Sequence, residues 1–216
     1  MSHEPNAEEW DNVWDSSISQ KIVTWGRNIY NSYFIKELDK LSDSKTNLAE
    51  LGCGSSSLTL QLAPRIKSVT GYDLSHSALR ISMENAKRLK VKNATFDLQD
   101  CTKLKVPDNT YDLVWSQGLI EHFEDPLPIV KEHLRICKKG GHVLISVPYK
   151  YSYFYLWYQI TRPKFMRWAW PWTEQDFYTE EKFLKLILHL PGRVRYDIFN
   201  IKPWIFGIIM MRIDKQ

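Results

Sequence analysis

The sequence is short of the features that mark secreted, metal-binding or membrane-spanning proteins. Its three cysteines, Cys53, Cys101 and Cys137, are scattered without a C-x-x-C pair, which argues against a disulfide framework and against a zinc site. The longest apolar run, residues 203–211, is too short to cross a bilayer. The first residues are acidic and lack an apolar stretch, so we expect no signal peptide. These absences predict a cytoplasmic protein without a bound metal.

The chain also lacks a large excess of charge of one sign. The chain of 216 residues has 29 Lys and Arg against 25 Asp and Glu, and a net charge of +4 does not indicate a nucleic-acid partner. Its length fits a single domain covering residues 1–216, and a hydrophobic content of 44% is enough for a sizeable core. Tryptophan is unusually frequent, with nine residues that fall mostly near the two ends.

A glycine turn organises the chain. The segment NLAELGCGSSSLTL, residues 47–60, predicts a buried strand, a turn and a new helix. Gly52 and Gly54 permit backbone angles closed to other residues, and the helix would point free N–H groups at a ligand. The turn lacks the third glycine of a dinucleotide G-x-G-x-x-G, because Ser57 stands there, and it lacks the lysine of a P-loop. Glu50 suits a cationic ligand better than a pyrophosphate.

The next strand, predicted over residues 67–72, stops at Asp73, which lies 21 residues after Gly52. An acidic side chain at the tip of this neighbouring strand can accept both hydroxyl groups of a ribose. The alternative is that Asp73 only opens the following helix, predicted over residues 75–90. Ser75 is better placed as the N-cap of that helix, which favours the ribose role.

Two further strands carry polar residues at their ends. The strand predicted over residues 94–98 leads into Asp100 and Cys101. Asp100 would accept a hydrogen bond from an exocyclic amine such as that of adenine, or it would be a solvated turn residue. The almost wholly apolar strand of residues 111–115 leads into Gln117, and such a strand is typical of the centre of a parallel sheet.

The helix after the fourth strand has start and stop signals. Asp125 is predicted to cap it with Pro126 in its first turn, and Gly140 and Gly141 are predicted to end it. Residues 142–147 then read as a fifth strand. The repeated alternation of strands and helices predicts an open α/β sheet whose ligand binds at the carboxyl ends of the strands.

Five motifs stand in order across residues 47–148: AELGCGSSS, GYDLS, LQDCT, YDLVWSQGLIEHFEDP and LRICKKGGHVLISVP. Their order and spacing resemble those of class I S-adenosylmethionine-dependent methyltransferases, of the type-11 small-molecule group that includes quinone-biosynthesis enzymes. The resemblance implies a Rossmann-like, doubly wound seven-stranded sheet, mostly parallel, with a final antiparallel hairpin of residues 193–200 and 204–213. The family usually has a glycine where Ser56 stands. Serine is small and can cap the following helix, so we expect cofactor binding to survive.

The resemblance also implies a cofactor, S-adenosyl-L-methionine, which is converted to S-adenosyl-L-homocysteine. Gly52 and Gly54 would bring the backbone against its amino-acid part, and Glu50 would orient the turn or meet the methionine amino group. Asp73 would hold the ribose hydroxyls. The other implied contacts are Leu74, Asp100 at the adenine amine with the Cys101 backbone beside it, and Gln117 near the sulfonium. The acidic side chains among these residues suit the positively charged sulfur of this cofactor. The dinucleotide cofactor of a dehydrogenase would instead need a turn that binds its phosphates.

His122 is the candidate catalytic residue. It follows the fourth strand, where the methyl group would emerge, and imidazole titrates near neutrality. It would act as a general base for a hydroxyl or amine acceptor, or it would only shape the pocket, and the sequence favours neither. Methyl transfer otherwise requires mainly alignment of the reactants and exclusion of water. Glu121 is expected to support the cofactor side rather than to act as the base.

Residues 149–178 are predicted to form a lid-like insertion. Eleven aromatic residues fall within residues 148–172, together with the basic residues Lys150, Arg162, Lys164 and Arg167. As a lid, the segment would wall an apolar pocket for the methyl acceptor. The alternatives are a peripheral membrane or homodimer contact through residues 149–172, and an RNA-stacking platform. We favour the lid, and RNA is disfavoured because the chain has no basic stripe.

Helices are predicted at both ends. A leading helix over residues 18–41, after a polar, mobile segment of residues 1–17, has one apolar face formed by Ile18, Ile22, Trp25 and Ile29. It would cover the sheet edge or close over a ligand with the help of Trp10, Trp14 and Arg27. Residues 179–216 are predicted to form a helix and the hairpin. Thr179 caps that helix, which would run to Leu190 and pack on the sheet through Phe183, Leu184, Ile187 and Leu188.

The sequence thus predicts a methyltransferase acting on a small, apolar or aromatic acceptor, with O-, C- and N-methylation left open. The main alternative is a methyltransferase-like binding protein without catalysis, with or without association with a membrane surface. A dehydrogenase is a third hypothesis, and it would bind NAD at least as tightly as S-adenosylmethionine.

Overall fold

The computed structural model describes residues 6–15, 31–161, 175–192, 194–201 and 207–216. The residues of the sequence predictions that lie outside these ranges are Ile18, Ile22, Trp25, Arg27, Ile29, Arg162, Lys164 and Arg167.

Seven strands fall within the described residues and form one sheet in the order β3-β2-β1-β4-β5-β7-β6. They are β1 (Asn47–Leu51), β2 (Ser68–Asp73), β3 (Ala94–Leu98), β4 (Tyr111–Gln117), β5 (Cys137–Pro148), β6 (Val194–Ile201) and β7 (Ile208–Lys215). The pairs from β3 to β5 are parallel, whereas β7 runs antiparallel between β5 and β6. The predicted Rossmann-like sheet with a C-terminal antiparallel hairpin is therefore confirmed.

Helices lie in most of the described connections, whereas residues 99–110 between β3 and β4 contain none. The described α-helices are α1 (Ala7–Asp15), α2 (residues 31–39), α3 (Thr59–Leu62), α4 (His76–Arg88), α5 (Leu127–Ile136), α6 (Tyr153–Thr161) and α7 (Glu180–Leu188). Two 3₁₀ turns, Ala63–Arg65 and Ile120–His122, follow α3 and β4.

Both faces of the central strands are buried, because successive side chains of a strand point to opposite faces. Leu113 and Trp115 of β4 lie in one core cluster, and the residue between them lies in the other. Phe34 and Leu38 of α2 are fully buried in the first cluster, where the rings of Phe34 and Trp115 are 5.3 Å apart. The predicted leading helix therefore covers the sheet over residues 31–39.

The end of α5 differs from the prediction. The helix stops at Ile136 and the chain continues directly into β5 at Cys137. Gly140 and Gly141 therefore lie within the assigned strand and do not end the helix. The pairing with β4 shifts in register between Cys137 and His142, and Gly140 takes a φ of +77° in this irregular stretch. A local irregularity in a strand thus explains the glycine pair.

The packing predicted for α7 is partly wrong. Phe183 is fully buried and Ile187 packs against the core, but Leu184 and Leu188 are 39% and 81% exposed. Residues 184 and 188 lie about 100° around the helix from 183 and 187, so a helix on the surface of a sheet cannot bury both rows. The predicted cap is confirmed, because the Thr179 hydroxyl accepts the N–H of Lys182.

The N-terminal segment is not a mobile tail where it is described. Residues Ala7–Asp15 form α1, which lies against α4. The Asn6 side chain accepts the N–H of Glu9 at 3.0 Å and so closes the first turn. The prediction of mobility fails because this polar helix is held by tertiary hydrogen bonds rather than by a buried apolar face.

Candidate functional site

The turn after β1 uses left-handed backbone angles at alternate residues. Gly52, Gly54 and Ser56 have φ values of +63°, +52° and +47°. A Cβ atom on Gly52 would lie 2.7 Å from the tip of the Leu119 side chain, so a larger residue at position 52 would have to displace Leu119 and adopt a strained backbone angle. Ser56 carries a side chain at an angle that favours glycine, which explains in physical terms why the resembling family has glycine at this position.

The start of α3 shows that the capping role predicted for Ser56 is wrong. The helix begins at Thr59, and no side chain caps it. A capping serine needs extended backbone angles, and Ser56 has left-handed ones. The Thr59 hydroxyl instead donates a hydrogen bond to the carboxylate of Glu50, and both residues are buried. This bond fits the orienting role proposed for Glu50, whereas a contact with a ligand amino group stays a prediction.

Asp73 ties the end of β2 to the glycine turn. Its two carboxylate oxygens accept the N–H of Gly54 at 2.8 Å and the N–H of Ser75 at 3.0 Å. Ser75 caps α4 by accepting the N–H of Ala78, which confirms the predicted N-cap. A carboxylate has about four lone-pair sites, so accepting these two bonds does not prevent it from also accepting ligand hydroxyl groups.

The residues predicted near adenine lie at the same edge of the sheet. The N–H of Gln99 donates to the carbonyl of Asp73 at 3.0 Å and joins the ends of β3 and β2. Asp100 is partly exposed, and its Oδ1 accepts two hydrogen bonds from the following turn, at 2.9 and 2.7 Å. Leu74 is also accessible, whereas Cys101 is buried. Leu74 and Asp100 can therefore offer side chains to a ligand, and Cys101 can offer its backbone.

The end of β4 brings Gln117 and His122 to this edge as well. Gln117 is the last residue of β4, and Gly118, with a φ of +67°, turns the chain into the 3₁₀ turn that contains His122. The His122 ring stands edge-on to Trp10 of α1, with 4.9 Å between the ring centroids. Since α1 also contacts α4, it spans the crevice between the ends of β2 and β4.

Asp11 holds α1 in this position, and sequence reasoning missed it. Its Oδ1 accepts the hydroxyl of Ser75 at 2.6 Å and the N–H of Ser77 at 3.0 Å. Burial alone would raise the pKa of Asp11, but these hydrogen bonds outweigh it and the pKa is lowered. The carboxylate lies at the N-terminus of α4, where the helix dipole favours negative charge.

Glu121 is a second candidate whose environment the sequence does not reveal. It is 3% exposed, and its Oε2 has no hydrogen-bond partner among the described residues. Its Oε1 lies 3.4 Å from the point that a Cβ on Gly118 would occupy, beside the turn after β4. Burial raises the pKa of Glu121 to about 8, against smaller opposing effects of a hydrogen bond with its own backbone and of the charge of Lys182. The carboxyl group is therefore mostly protonated at neutral pH. In the sequence, only its position next to His122 indicates that Glu121 belongs to the candidate site.

The segment predicted as a lid-like insertion, residues 149–178, is described on both sides of residues 162–174. α6 follows β5 and presents the rings of Phe154, Tyr155 and Tyr158 to Phe177, with centroid distances of 6.0, 4.9 and 5.1 Å. The returning segment is fixed at the end of β4, because the N–H of Asp176 donates to the carbonyl of Glu121 at 2.8 Å. The aromatic cluster therefore borders the same edge of the sheet as the glycine turn.

The described residues offer neither a metal centre nor an activated thiol. No three of their His, Cys, Asp or Glu side chains are grouped to hold a metal ion. Burial raises the thiol pKa of Cys53, Cys101 and Cys137, so each is a poor nucleophile at neutral pH. None of the described helices combines the length and apolarity that crossing a membrane requires.

Comparison with known proteins finds matches to the part of the chain that carries the glycine turn and the residues at the ends of β2, β3 and β4. Residues 49–145 match the family described as methyltransferase domain. Phosphoethanolamine N-methyltransferase 3 of Arabidopsis thaliana is 32% identical over 114 residues, which cover 52% of this chain and 23% of the relative. Ubiquinone biosynthesis O-methyltransferase of Nitrosomonas europaea is 29% identical over 107 residues, which cover 48% of this chain and 44% of the relative. The match thus spans less than half the length of either relative.

Solved structures extend the likeness to the whole sheet. Geranyl diphosphate C-methyltransferase from Streptomyces coelicolor A3(2), in complex with Mg²⁺, geranyl diphosphate and S-adenosyl-L-homocysteine, superimposes with a TM-score of 0.71. The identity is 14%, and the match covers 97% of this chain and 96% of that chain. Identity this low shows a shared fold and nothing finer. Residues 49–145, a little under half of the chain, thus match the methyltransferase-domain family, and the sheet is the Rossmann-like sheet of the structural neighbours.

Proposed function

We propose that the protein transfers a methyl group from S-adenosyl-L-methionine to a small, apolar or aromatic acceptor. The observation that carries the proposal is the buried Asp73 carboxylate, bonded to the glycine-turn backbone at the carboxyl edge of a methyltransferase-type sheet. The similar proteins bear the names of N-, O- and C-methyltransferases, so the atom that is methylated stays open. A cytoplasmic location remains a prediction.

The residues at this edge fit the cofactor. Asp73 would accept the ribose hydroxyl groups, and Asp100 would accept a hydrogen bond from the adenine amine with Leu74 and the Cys101 backbone beside it. The turn at Gly52 would let the amino-acid part of the cofactor approach the backbone. The Thr59 hydroxyl bonds the Glu50 carboxylate and so fixes it beside this turn. Gln117 would line the methionine end. When bound, the cofactor supplies a methyl group already activated for in-line displacement by its positive sulfur.

His122 would then act on the acceptor. It is fixed at the end of β4 by its 3₁₀ turn and by the edge-on contact with Trp10. An imidazole in that place can take the proton that a hydroxyl or amine acceptor loses as its new bond to carbon forms. Trp10 and the rest of α1 would exclude water from the crevice, which protects the alignment of donor and acceptor.

The acceptor pocket would be walled by the aromatic cluster around Phe177. The rings of α6 and Phe177 lie beside the end of β4, and Tyr149 pairs with Tyr178 next to them. A wall built from aromatic rings favours acceptors with apolar or aromatic bodies.

The test is turnover. The purified protein is incubated with methyl-labelled S-adenosylmethionine and a panel of phenols, quinols, amines and lipid-like compounds, and S-adenosylhomocysteine is measured. Acceptor-dependent product is expected, and His122→Gln should lower the rate by ~10²–10⁴-fold at unchanged cofactor affinity if the acceptor must lose a proton. His142→Gln is the matched control, because His142 bonds Asp214 near the opposite edge of the sheet. A His122→Gln enzyme with full activity would leave His122 with a role in shaping the pocket.

The alternative is a binding protein without catalysis, and Ser56 at a glycine-favouring angle is the observation that keeps it open. Calorimetric titration separates the hypotheses. Binding of S-adenosylmethionine and S-adenosylhomocysteine without turnover on any acceptor would favour the binding protein. Binding of NAD at least as tight as that of S-adenosylmethionine would favour the dehydrogenase.

A further inference from the structure

Asn31 is a buried residue of α2 whose side chain lacks a bonding partner. It is 4% exposed, and neither its Nδ2 nor its Oδ1 forms a hydrogen bond with any described residue. In the part of the chain that the structure describes, it is the one buried side chain with two unpaired polar atoms. Buried amides are normally hydrogen-bonded, because burial without a partner is unfavourable. Asn31 therefore marks a place where a ligand can supply the missing partners.

α2 runs from the carboxyl edge of the sheet towards its amino edge. Residues 40–46 join the end of α2 to the start of β1, and Leu41 shares a surface groove with His142, in the first half of β5. Nearer the start of the described helix, the ring of Phe34 packs on Trp115, the third residue from the end of β4. The residues that precede Phe34 in α2 therefore lie towards the edge that carries the glycine turn.

Asn31 stands at this edge, beside the end of β4. Asn31 and Phe34 are three residues apart and so share one side of the helix, with a step of about 4.5 Å along its axis. Gln117 follows Trp115 by two residues, which places it about 6.6 Å further along β4 and on the same face of the sheet. The amide groups of Asn31 and Gln117 thus lie at a similar height on one face of the sheet.

Glu50 belongs to the same face. It follows Leu48 by two residues in β1, and Leu48 lies in the core cluster that also contains Trp115. Glu50 and Trp115 are direct partners in the ladder between β1 and β4. Asn31, Gln117 and Glu50 therefore border the crevice beside the glycine turn from three different elements.

We propose that the Asn31 amide binds the amino-acid part of S-adenosyl-L-methionine. An amide can donate to the carboxylate of that part through its N–H groups and accept from its ammonium group through its oxygen. An α-amino acid therefore supplies both partners that Asn31 lacks, whereas an apolar ligand supplies neither. The inference rests on the proposed methyltransferase function, and it gives α2 a part in recognising the cofactor.

The experiment compares two adenosine thioethers by calorimetric titration of the full chain. S-adenosylhomocysteine carries the amino-acid part, and 5′-methylthioadenosine lacks it. Asn31→Leu removes both polar atoms and keeps the approximate size of the side chain. This variant should bind S-adenosylhomocysteine roughly 10–100-fold more weakly, the usual effect of losing hydrogen bonds to charged groups. Its affinity for 5′-methylthioadenosine should be unchanged.

The thermal stability of Asn31→Leu separates a ligand contact from a structural one. Without ligand, the amide bonds no described residue, so the variant should unfold at the same temperature as the natural sequence or at a higher one. An amide that held the fold together would give the opposite result, a lower melting temperature. We therefore expect a loss of affinity without a loss of stability.

Asn200→Leu is the matched control. The Asn200 Oδ1 is also buried without a partner among the described residues, but Asn200 lies on β6, at the end of the sheet order remote from β1. This control should bind both compounds like the natural sequence.

Two results would overturn the inference and leave the proposed function intact. In the first, Asn31→Leu binds S-adenosylhomocysteine as tightly as the natural sequence does. In the second, the variant loses affinity for both compounds equally, which would mean that the change acts on the nucleoside part or on the fold. If the natural sequence binds neither compound, the proposed function fails and the inference fails with it.

Discussion

At the scale of single residues, Asp73 combines a structural role with a proposed binding role. Its carboxylate fixes the glycine turn, and we propose that it also binds the ribose hydroxyl groups. Asp73→Ala should weaken binding of S-adenosylmethionine by ~1–3 kcal/mol, as expected for lost hydrogen bonds to a charged group. It should also lower the melting temperature, because the N–H groups of Gly54 and Ser75 lose their acceptor. Calorimetric titration and thermal unfolding measure the two effects.

Asp97→Ala is the control for Asp73, because Asp97 lies on the neighbouring strand and its carboxylate bonds the side chain of Gln99. Its affinity for the cofactor should be unchanged. If Asp73→Ala also kept full affinity, Asp73 would have no place in the binding site.

Glu121 should make the stability of the protein depend on pH. Its pKa is raised to about 8 in the folded chain, with Lys182, Tyr178 and Asp176 as the charged or titratable neighbours on the covering segment. Between its ordinary pKa and 8, the folded carboxyl keeps a proton that the unfolded chain has released. The free energy of unfolding should therefore fall as pH rises through this window, by up to about 1.4 kcal/mol per unit, and level off above it.

Denaturant unfolding across this pH range tests the effect with Glu121→Gln, which cannot ionise. The variant should lack this part of the pH dependence and be the more stable protein near pH 8. Glu181→Gln is the control, because Glu181 is exposed and pairs with Lys185, so its pH dependence should follow that of the natural sequence. If the free energy of unfolding varied with pH in the same way for the natural sequence and both variants, the raised pKa of Glu121 would be contradicted.

At the scale of elements, Asp11 joins α1 to the start of α4 and so helps to hold α1 over the crevice. Asp11→Ala removes the acceptor for Ser75 and Ser77 and should destabilise the contact by about 0.5–2 kcal/mol, the usual effect of losing a helix cap. Limited proteolysis should then cleave the N-terminal segment faster, and the affinity for the cofactor should fall.

Asp15→Ala is the matched control on the same helix. Asp15 pairs with Arg80, and both side chains are more than half exposed, so the loss should be at most about 1 kcal/mol. Equal cleavage rates for the two variants would show that Asp11 does not hold α1.

The central strands could be predicted from the sequence, because strands buried on both faces read as apolar runs. β3 has its predicted bounds, Ala94–Leu98, and the N-cap at Ser75 follows from local chemistry. The C-terminal end of α5 could not be predicted, since a glycine pair can mark either a helix stop or an irregular strand. Ser56 was misjudged because its backbone angle is set by the turn and not by its own preference.

The placement of Asp73, Asp100 and Gln117 at or just after the carboxyl ends of strands was predictable, whereas their contacts with a cofactor stay predictions. Asp11 was not predictable, because its role arises from a bond to Ser77 across 66 positions of sequence. Glu121 was not, because its burial depends on the segment that returns after the insertion. The environments of both residues arise from tertiary contacts, which a local sequence pattern does not reveal.

At the scale of the whole molecule, the three cysteines should report global opening. All are buried with raised thiol pKa values, so a thiol reagent such as dithionitrobenzoate should label them at the rate at which the protein unfolds. S-adenosylhomocysteine at about 100 times its Kd should slow labelling by about 100-fold, because binding stabilises the folded state. The denatured chain serves as the reference for three reactive thiols. Fast labelling of the native protein would contradict the prediction.

The position of β7 has a consequence for shortened gene products. β7 is made after β6 but lies between β6 and β5, and Ile209, Met210 and Met211 in it are fully buried. A premature stop codon before Ile208 would spare every residue proposed to contact the cofactor. It would nevertheless detach β6 and leave β5 with a long unpaired edge, which is a template for aggregation. Late truncations should therefore be lost as insoluble or degraded protein and not persist as partly active enzyme.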